Sequence, residues 1–164
     1  MITIRPIQPE EIPAARRMII TVAYGIFGWK GTLEESIRYF EASGKLADMD
    51  DIQSHYFQNG GLFLAVVEGN RIIGTGALRR LDLVTAELKR MWLLPDFHGQ
   101  GIGYMLFSQL RNFAHGHNYQ RIWLQTSPEQ TRALAFYRRL GFHEIPCYND
   151  DLGEISMELN IQGT

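Results

Sequence analysis

Apolar and polar positions along this chain follow two periods, and the change from one to the other falls near residue 60. Ile2, Ile4 and Pro6 alternate with polar residues as a short first strand, and Gln8-Pro9-Glu10-Glu11 then supplies the proline and acids of a helix start. That pattern predicts a helix to about Tyr24. The segment 25–31, GIFGWKG, is expected to break it, and Thr32 with Glu35 three residues on forms a capping box for a second helix through Ala42. Between Asp48 and Gly61, Ile52, His55, Tyr56 and Phe57 suggest a helical turn ending at Asn59-Gly60-Gly61. From there the period is that of strands. Leu62–Val67 and Arg71–Leu81 are apolar, β-branched runs joined by Glu68-Gly69-Asn70, a hairpin signal. After Asp82-Leu83-Val84 a third strand follows at Thr85–Leu94, so three antiparallel strands come in succession.

Helical spacing returns with Met105, Leu106, Leu110 and Phe113. Arg121–Thr126 is then a strand that a short helical crossover places parallel to Thr85–Leu94. Ser127 or Pro128 opens a last helix through Arg139, Gly141 caps it, and Phe142–Ile145 and Ile155–Leu159 read as closing strands. No repeat, linker or low-complexity segment interrupts the 164 residues, 45% of them hydrophobic, and the expectation is a single mixed α/β domain over 1–164.

The most specific chemistry lies between the third strand and the helix after it, in residues 93–105, LLPDFHGQGIGYM. Glycines at 99, 101 and 103 let successive N–H groups turn toward the positive end of the following helix, which makes a cradle for a pyrophosphate. A dinucleotide-binding fingerprint needs its third glycine where Tyr104 stands, and a Walker A loop needs Lys and Ser or Thr after Gly101. Both fail. The run His98-Gly99-Gln100-Gly101-Ile102-Gly103 resembles instead the acetyl-CoA loop of the GCN5-related N-acetyltransferases, whose pattern is Arg or Gln, two residues, Gly, one residue, then Gly or Ala. His98 departs from that pattern, which weakens a side-chain contact and leaves the backbone cradle intact.

Residues 133–142, ALAFYRRLGF, carry a second likeness to that family. Ala133, Tyr137, Gly141 and Phe142 match its later signature, in the right order after the loop. The resemblance covers residues 62–159 and implies a central, mostly antiparallel sheet with helices on both faces and a splayed parallel strand pair. In the first third the likeness is architectural only, and that is where the acceptor is chosen.

Acetyl transfer to an amine needs an oriented thioester, a deprotonated amine, a stabilised oxyanion and a proton for the departing thiolate. The resemblance implies that the backbone amides of Gly99, Gln100, Gly101, Ile102, Gly103 and Tyr104 hold the pyrophosphate of acetyl-CoA, with His98 as a side-chain contact to the cofactor. It further implies that Met91 and Leu93 pair with the pantetheine arm, the Met91 N–H donating to the thioester carbonyl. Tyr137 is then the acid for the thiolate. Gln130, seven residues before it where the family often has Asn, stands between a cofactor contact and a solvent-facing helix residue. An ammonium with a pKa of about 10.4 needs a base. Glu87, four residues before Met91, takes that place, with a cross-strand ion pair to Arg79 or Arg80 as the equal alternative. Strand alternation sets Glu87, Lys89, Met91 and Leu93 on one face, where Lys89 hints at an acceptor carboxylate.

Charge and composition narrow the partners. The 16 basic and 18 acidic residues are spread evenly for a net charge of −2, which leaves no basic stripe for nucleic acid or an anionic membrane. Cys147 is the one cysteine and His115 and His117 stand two apart, so no metal site is expected. Lacking a secretory pattern at the N-terminus or an apolar run of about 20 residues, the chain reads as cytoplasmic. The expected activity is acetyl transfer to a small, amino-acid-like amine. The alternatives are a non-catalytic CoA-binding or sensory module and an acetyltransferase of protein amino groups. A homodimer stays open, and Tyr24, Phe27, Trp29, Tyr39, Tyr56 and Phe57 are candidates for the acceptor pocket or the core.

Overall fold

In the computed structural model, which describes residues 1–162, one seven-stranded sheet organises the chain. Its strands are β1 (Ile2–Pro6), β2 (Leu62–Glu68), β3 (Arg71–Arg80), β4 (Thr85–Leu93), β5 (Arg121–Thr126), β6 (His143–Ile145) and β7 (Ile155–Asn160), in the order β1-β2-β3-β4-β5-β7-β6. Every neighbouring pair is antiparallel except β4 and β5, which the crossover through a helix makes parallel. Helices α1 (Ile12–Phe27) and α2 (Leu33–Ser43) precede the main sheet, α3 (Ile102–Gly116) links β4 to β5, and α4 (Thr131–Leu140) follows β5.

Local signals account for most boundaries. Thr32 accepts from the Glu35 N–H at 3.1 Å and the Glu35 carboxylate reaches back, closing the capping box of α2. Pro9–Glu11 forms a 3-10 turn before α1, where Glu11 accepts from the Gln8 N–H and binds Arg5. Two expectations shift. α1 runs through Gly25 to Phe27 and ends at Gly28, because Met18, Ile19 and Val22 bury one stripe of it and outweigh the cost of an internal glycine. α4 begins at Thr131, after Ser127 and Pro128, because the Gln130 side chain holds the Ser127 N–H outside the helix.

Two apolar layers sandwich the sheet. Leu64, Leu78, Leu88, Ile122, Leu124 and Met157 face α3 and α4, while Phe63, Ala65, Val67, Ile72 and Ala77 face α1 together with Tyr56 and Met49. The segment between α2 and β2 is a 3-10 turn (Ala47–Asp50) and a π-helical turn (Gln53–Phe57) that fixes Tyr56, fully buried, against Phe63. Among the described residues no helix is long and apolar enough to cross a membrane.

Candidate functional site

β4 pairs with β5 only over Thr85–Glu87, opposite Arg121–Trp123; beyond that point β5 pairs on its other edge with β7 alone. The two parallel strands part there, so among the described residues the β5-facing edge of β4 from Leu88 onward has no strand partner. Unpaired strand backbone is a ready partner for an extended ligand. A cavity of about 650 Å³ opens at this end of β4, lined from below by Met91, Trp92 and Leu93 and from the sides by the glycine loop and α4.

The loop has the geometry of an anion cradle. Gly99 and Gly101 sit at φ 80° and 77°, left-handed backbone that L side chains rarely adopt. A Cβ at either position meets nothing within 4 Å, so conformation and not crowding is what calls for glycine there. Gly101 is the N-cap of α3 and no side chain caps it; the first bond of the helix is Met105 N–H to Gly101 C=O. The N–H groups of Ile102, Gly103 and Tyr104 thus stand at the positive end of the helix for a ligand to use. Ile102, Gly103 and Tyr104 line the cavity with His98, Gly99 and Gly101; Gln100 is exposed and does not. Burial, and then the charge of Arg132, pushes the His98 imidazole below its ordinary value, which favours the neutral ring.

Tyr137 lines the same cavity from α4, packed between Phe136 and Phe142. It makes no side-chain hydrogen bond among the described residues, and no fully enclosed side-chain polar atom lacks a partner, so its hydroxyl opens onto the cavity. Burial raises its pKa and keeps the phenol protonated. Gln130, just before α4, also lines the cavity, but its amide oxygen accepts from Thr126 Oγ1 at 2.6 Å and from the Ser127 N–H at 3.2 Å. Only its amide nitrogen is left to a ligand.

Glu87 lies elsewhere. Its carboxylate is buried on the α1 face, where Arg79 Nε donates to Oε1 at 2.8 Å and the Tyr148 hydroxyl donates to Oε2 at 2.5 Å. The cross-strand pair with Arg79 is therefore present, and Tyr148 was not among the residues singled out by sequence. Tyr148 comes from the segment between β6 and β7 and lies against Trp123 at 4.7 Å between ring centroids. A mutual pair of amide hydrogen bonds between Gln125 and Asn149 anchors that segment. Desolvation, and then its bond to Glu87, raises the Tyr148 pKa.

The shared face expected for Glu87, Lys89, Met91 and Leu93 is corrected by a bulge. On β3, Thr75 pairs with Trp92 and Ala77 with Lys89, so Arg90 and Met91 together oppose Gly76. Arg90 has φ 55°, and the Thr75 hydroxyl donates to its carbonyl at 2.6 Å. The extra residue inverts the alternation: Met91 and Leu93 join Ala86 and Leu88 under α3, while Trp92 packs toward α1. Arg90 binds Asp48, which also accepts from Tyr56 at 2.5 Å. Of the aromatic residues proposed for an acceptor pocket, Tyr56 and Phe57 are core on the α1 side, Trp29 stacks on Phe40, and none lines the cavity. Among the described residues no group of three or more His, Cys, Asp or Glu side chains comes together to hold a metal ion.

Known proteins share this fold. A crystallised acetyltransferase of the GNAT family from Staphylococcus aureus superposes with a TM-score of 0.83 at 22% identity, covering 99% of this chain and 100% of that one. The PaiA N-acetyltransferase of Thermoplasma acidophilum, crystallised in complex with coenzyme A, superposes with a TM-score of 0.78 at 21% identity over 98% and 99% of the two chains. In sequence, an uncharacterized N-acetyltransferase of Escherichia coli is 26% identical over 93% of this chain and 88% of its own. The N-acetylaspartate synthetase of Danio rerio is 33% identical over 60% of this chain, which spans 36% of that longer protein. The splayed β4 and β5, the glycine cradle and the tyrosine of α4 all fall within or beside residues 29–142, which match the Acetyltransferase (GNAT) family, and this chain belongs to that family of acetyltransferases.

Proposed function

We propose that the protein transfers an acetyl group from acetyl-CoA to the primary amine of a small, amino-acid-like acceptor by direct attack in a ternary complex. The observation that carries this reading is the gap between β4 and β5, which has the glycine cradle at one end and the Tyr137 hydroxyl on one wall. The backbone N–H groups from Gly99 to Tyr104 hold the pyrophosphate, and the freed edge of β4 at Met91 and Leu93 pairs with the pantetheine arm. The bulge at Arg90 sets the Met91 N–H out of register with β3, as a donor to the thioester carbonyl.

Tyr137 donates to the departing sulfur, which a phenol kept protonated by burial can do across neutral pH. Glu87 is the base on the opposite side of β4, reached once the Tyr148 hydroxyl gives up Oε2. The likeness to N-acetylaspartate synthetases supports an amino-acid acceptor. Initial rates of thiol release with acetyl-CoA and a panel of amines test the reading, and an inert panel overturns it. In the same assay Glu87→Gln is expected to lower kcat/KM at pH 7 by about tenfold to a hundredfold, with the loss shrinking at high pH where the free amine needs no base. An unchanged profile removes Glu87 from the reaction.

A further inference from the structure

Five charged side chains meet on the α1 face of β3 and β4, and four of them are matched. Glu87 takes Arg79, and Asp48 takes Arg90. All four carboxylate oxygens are engaged: Arg79 and Tyr148 on Glu87, Arg90 on both oxygens of Asp48, and Tyr56 on one of them. The fifth group is Lys89, half-buried between these pairs, and among the described residues it makes no hydrogen bond or ion pair. Burial lowers its pKa, and Glu87 and Asp48 act on it only through space. Three cations against two carboxylates leave one positive charge, and its solvation is incomplete.

Its place on the strand says where that charge is used. The bulge removes Arg90 and Met91 from the alternation, so Lys89 opposite Ala77 lies between Glu87 and Trp92 on this face. Trp92 lines the cavity of the acetyl-transfer site. Glu87 and Lys89 are two positions apart, about 6.6 Å along the strand, a separation that a short zwitterion bridges with one charge at each end. A single carboxylate neutralises the cluster, whereas a phosphate dianion overshoots it.

We propose that Lys89 is the specificity residue of the acceptor site, binding the carboxylate of an α-amino acid whose amine faces Glu87. This rests on the acetyltransferase reading above. An acceptor amine on a protein side chain or terminus has no free carboxylate beside it, so such acceptors are disfavoured.

The test pairs free amino acids with their carboxamides, using L-aspartate, L-methionine and L-phenylalanine as acceptors. The wild-type protein is expected to prefer at least one free acid over its amide by about tenfold or more in kcat/KM. Lys89→Met should erase that preference through KM, leave rates on the amides within about twofold and leave CoA affinity unchanged, while Lys89→Arg restores part of it. Calorimetry with the corresponding N-acetyl amino acids and CoA reads the same site without turnover: they bind the wild type and not Lys89→Met. If amines are acetylated with no preference for the free acid, or Lys89→Met slows acids and amides alike, the inference falls and the acetyltransferase stands. If no amine is acetylated yet N-acetyl amino acids bind in a Lys89-dependent way, the anion site stands and the proposed reaction falls. Absence of both overturns the inference.

Discussion

The two faces of β4 are built in different ways. On the α3 side, Met91, Leu93, the glycine loop and Tyr137 come from two short stretches of chain, and each owes its geometry to neighbours a few residues away. On the α1 side, Glu87 depends on Arg79 and Tyr148, and Arg90 on Asp48 and Tyr56, partners drawn from a strand, a late loop and the segment before β2. A cofactor common to a family can be met by local backbone geometry. The acceptor proposed above would be met instead by side chains gathered from distant segments.

The largest expected effect lies on the α1 face. Arg90→Ala leaves the half-buried Asp48 without its cation and should cost about 3 kcal/mol in chemical unfolding at pH 7. Burial pushes the Asp48 carboxyl up, but Arg90 and Tyr56 outweigh it and hold it below the usual carboxylate range. Because its folded pKa is depressed, the stability it contributes is present above about pH 4 and lost as pH falls through the native value. The gap between wild type and Arg90→Ala should therefore narrow in acid; a gap that is constant with pH shows that the pair is not its cause.

Next comes Tyr137→Phe on the other face, expected to lower kcat about a hundredfold with CoA affinity and melting temperature little changed. Among the described residues the hydroxyl makes no hydrogen bond that the variant would lose. An unchanged kcat assigns the proton to water. Smallest is Gly101→Ala, which places a Cβ on left-handed backbone at a cost of about 1–2 kcal/mol and should weaken CoA binding up to about tenfold by calorimetry. Full affinity in that variant would show that the loop tolerates a different backbone.

Strand positions, the Thr32 capping box and the Gly141 cap were readable from period and punctuation, because each depends on residues close in sequence, and the parallel crossover followed from the single helix between β4 and β5. The cradle was readable for the same reason. Three features were not. A non-glycine residue at φ 55° carries no local signature, so the bulge at Arg90 inverted the faces read from alternation. Tyr148 and Asp48 lie in irregular segments with no period to follow, and only the fold brings them to Glu87 and Arg90. Gln130 was readable as a position, but its amide oxygen is taken by Thr126 and Ser127.

The succession of elements, the glycine loop whose spacing excludes a dinucleotide fingerprint and a Walker A loop, and the tyrosine that follows it can be read from the chain alone, since backbone conformation and helical phase are set over a few residues. Which face of β4 each side chain occupies, which charges are paired, and that Lys89 makes no ion pair among the described residues were decided by tertiary structure. A bulge and five charges meeting from separate segments acquire their meaning only once the chain has closed around them.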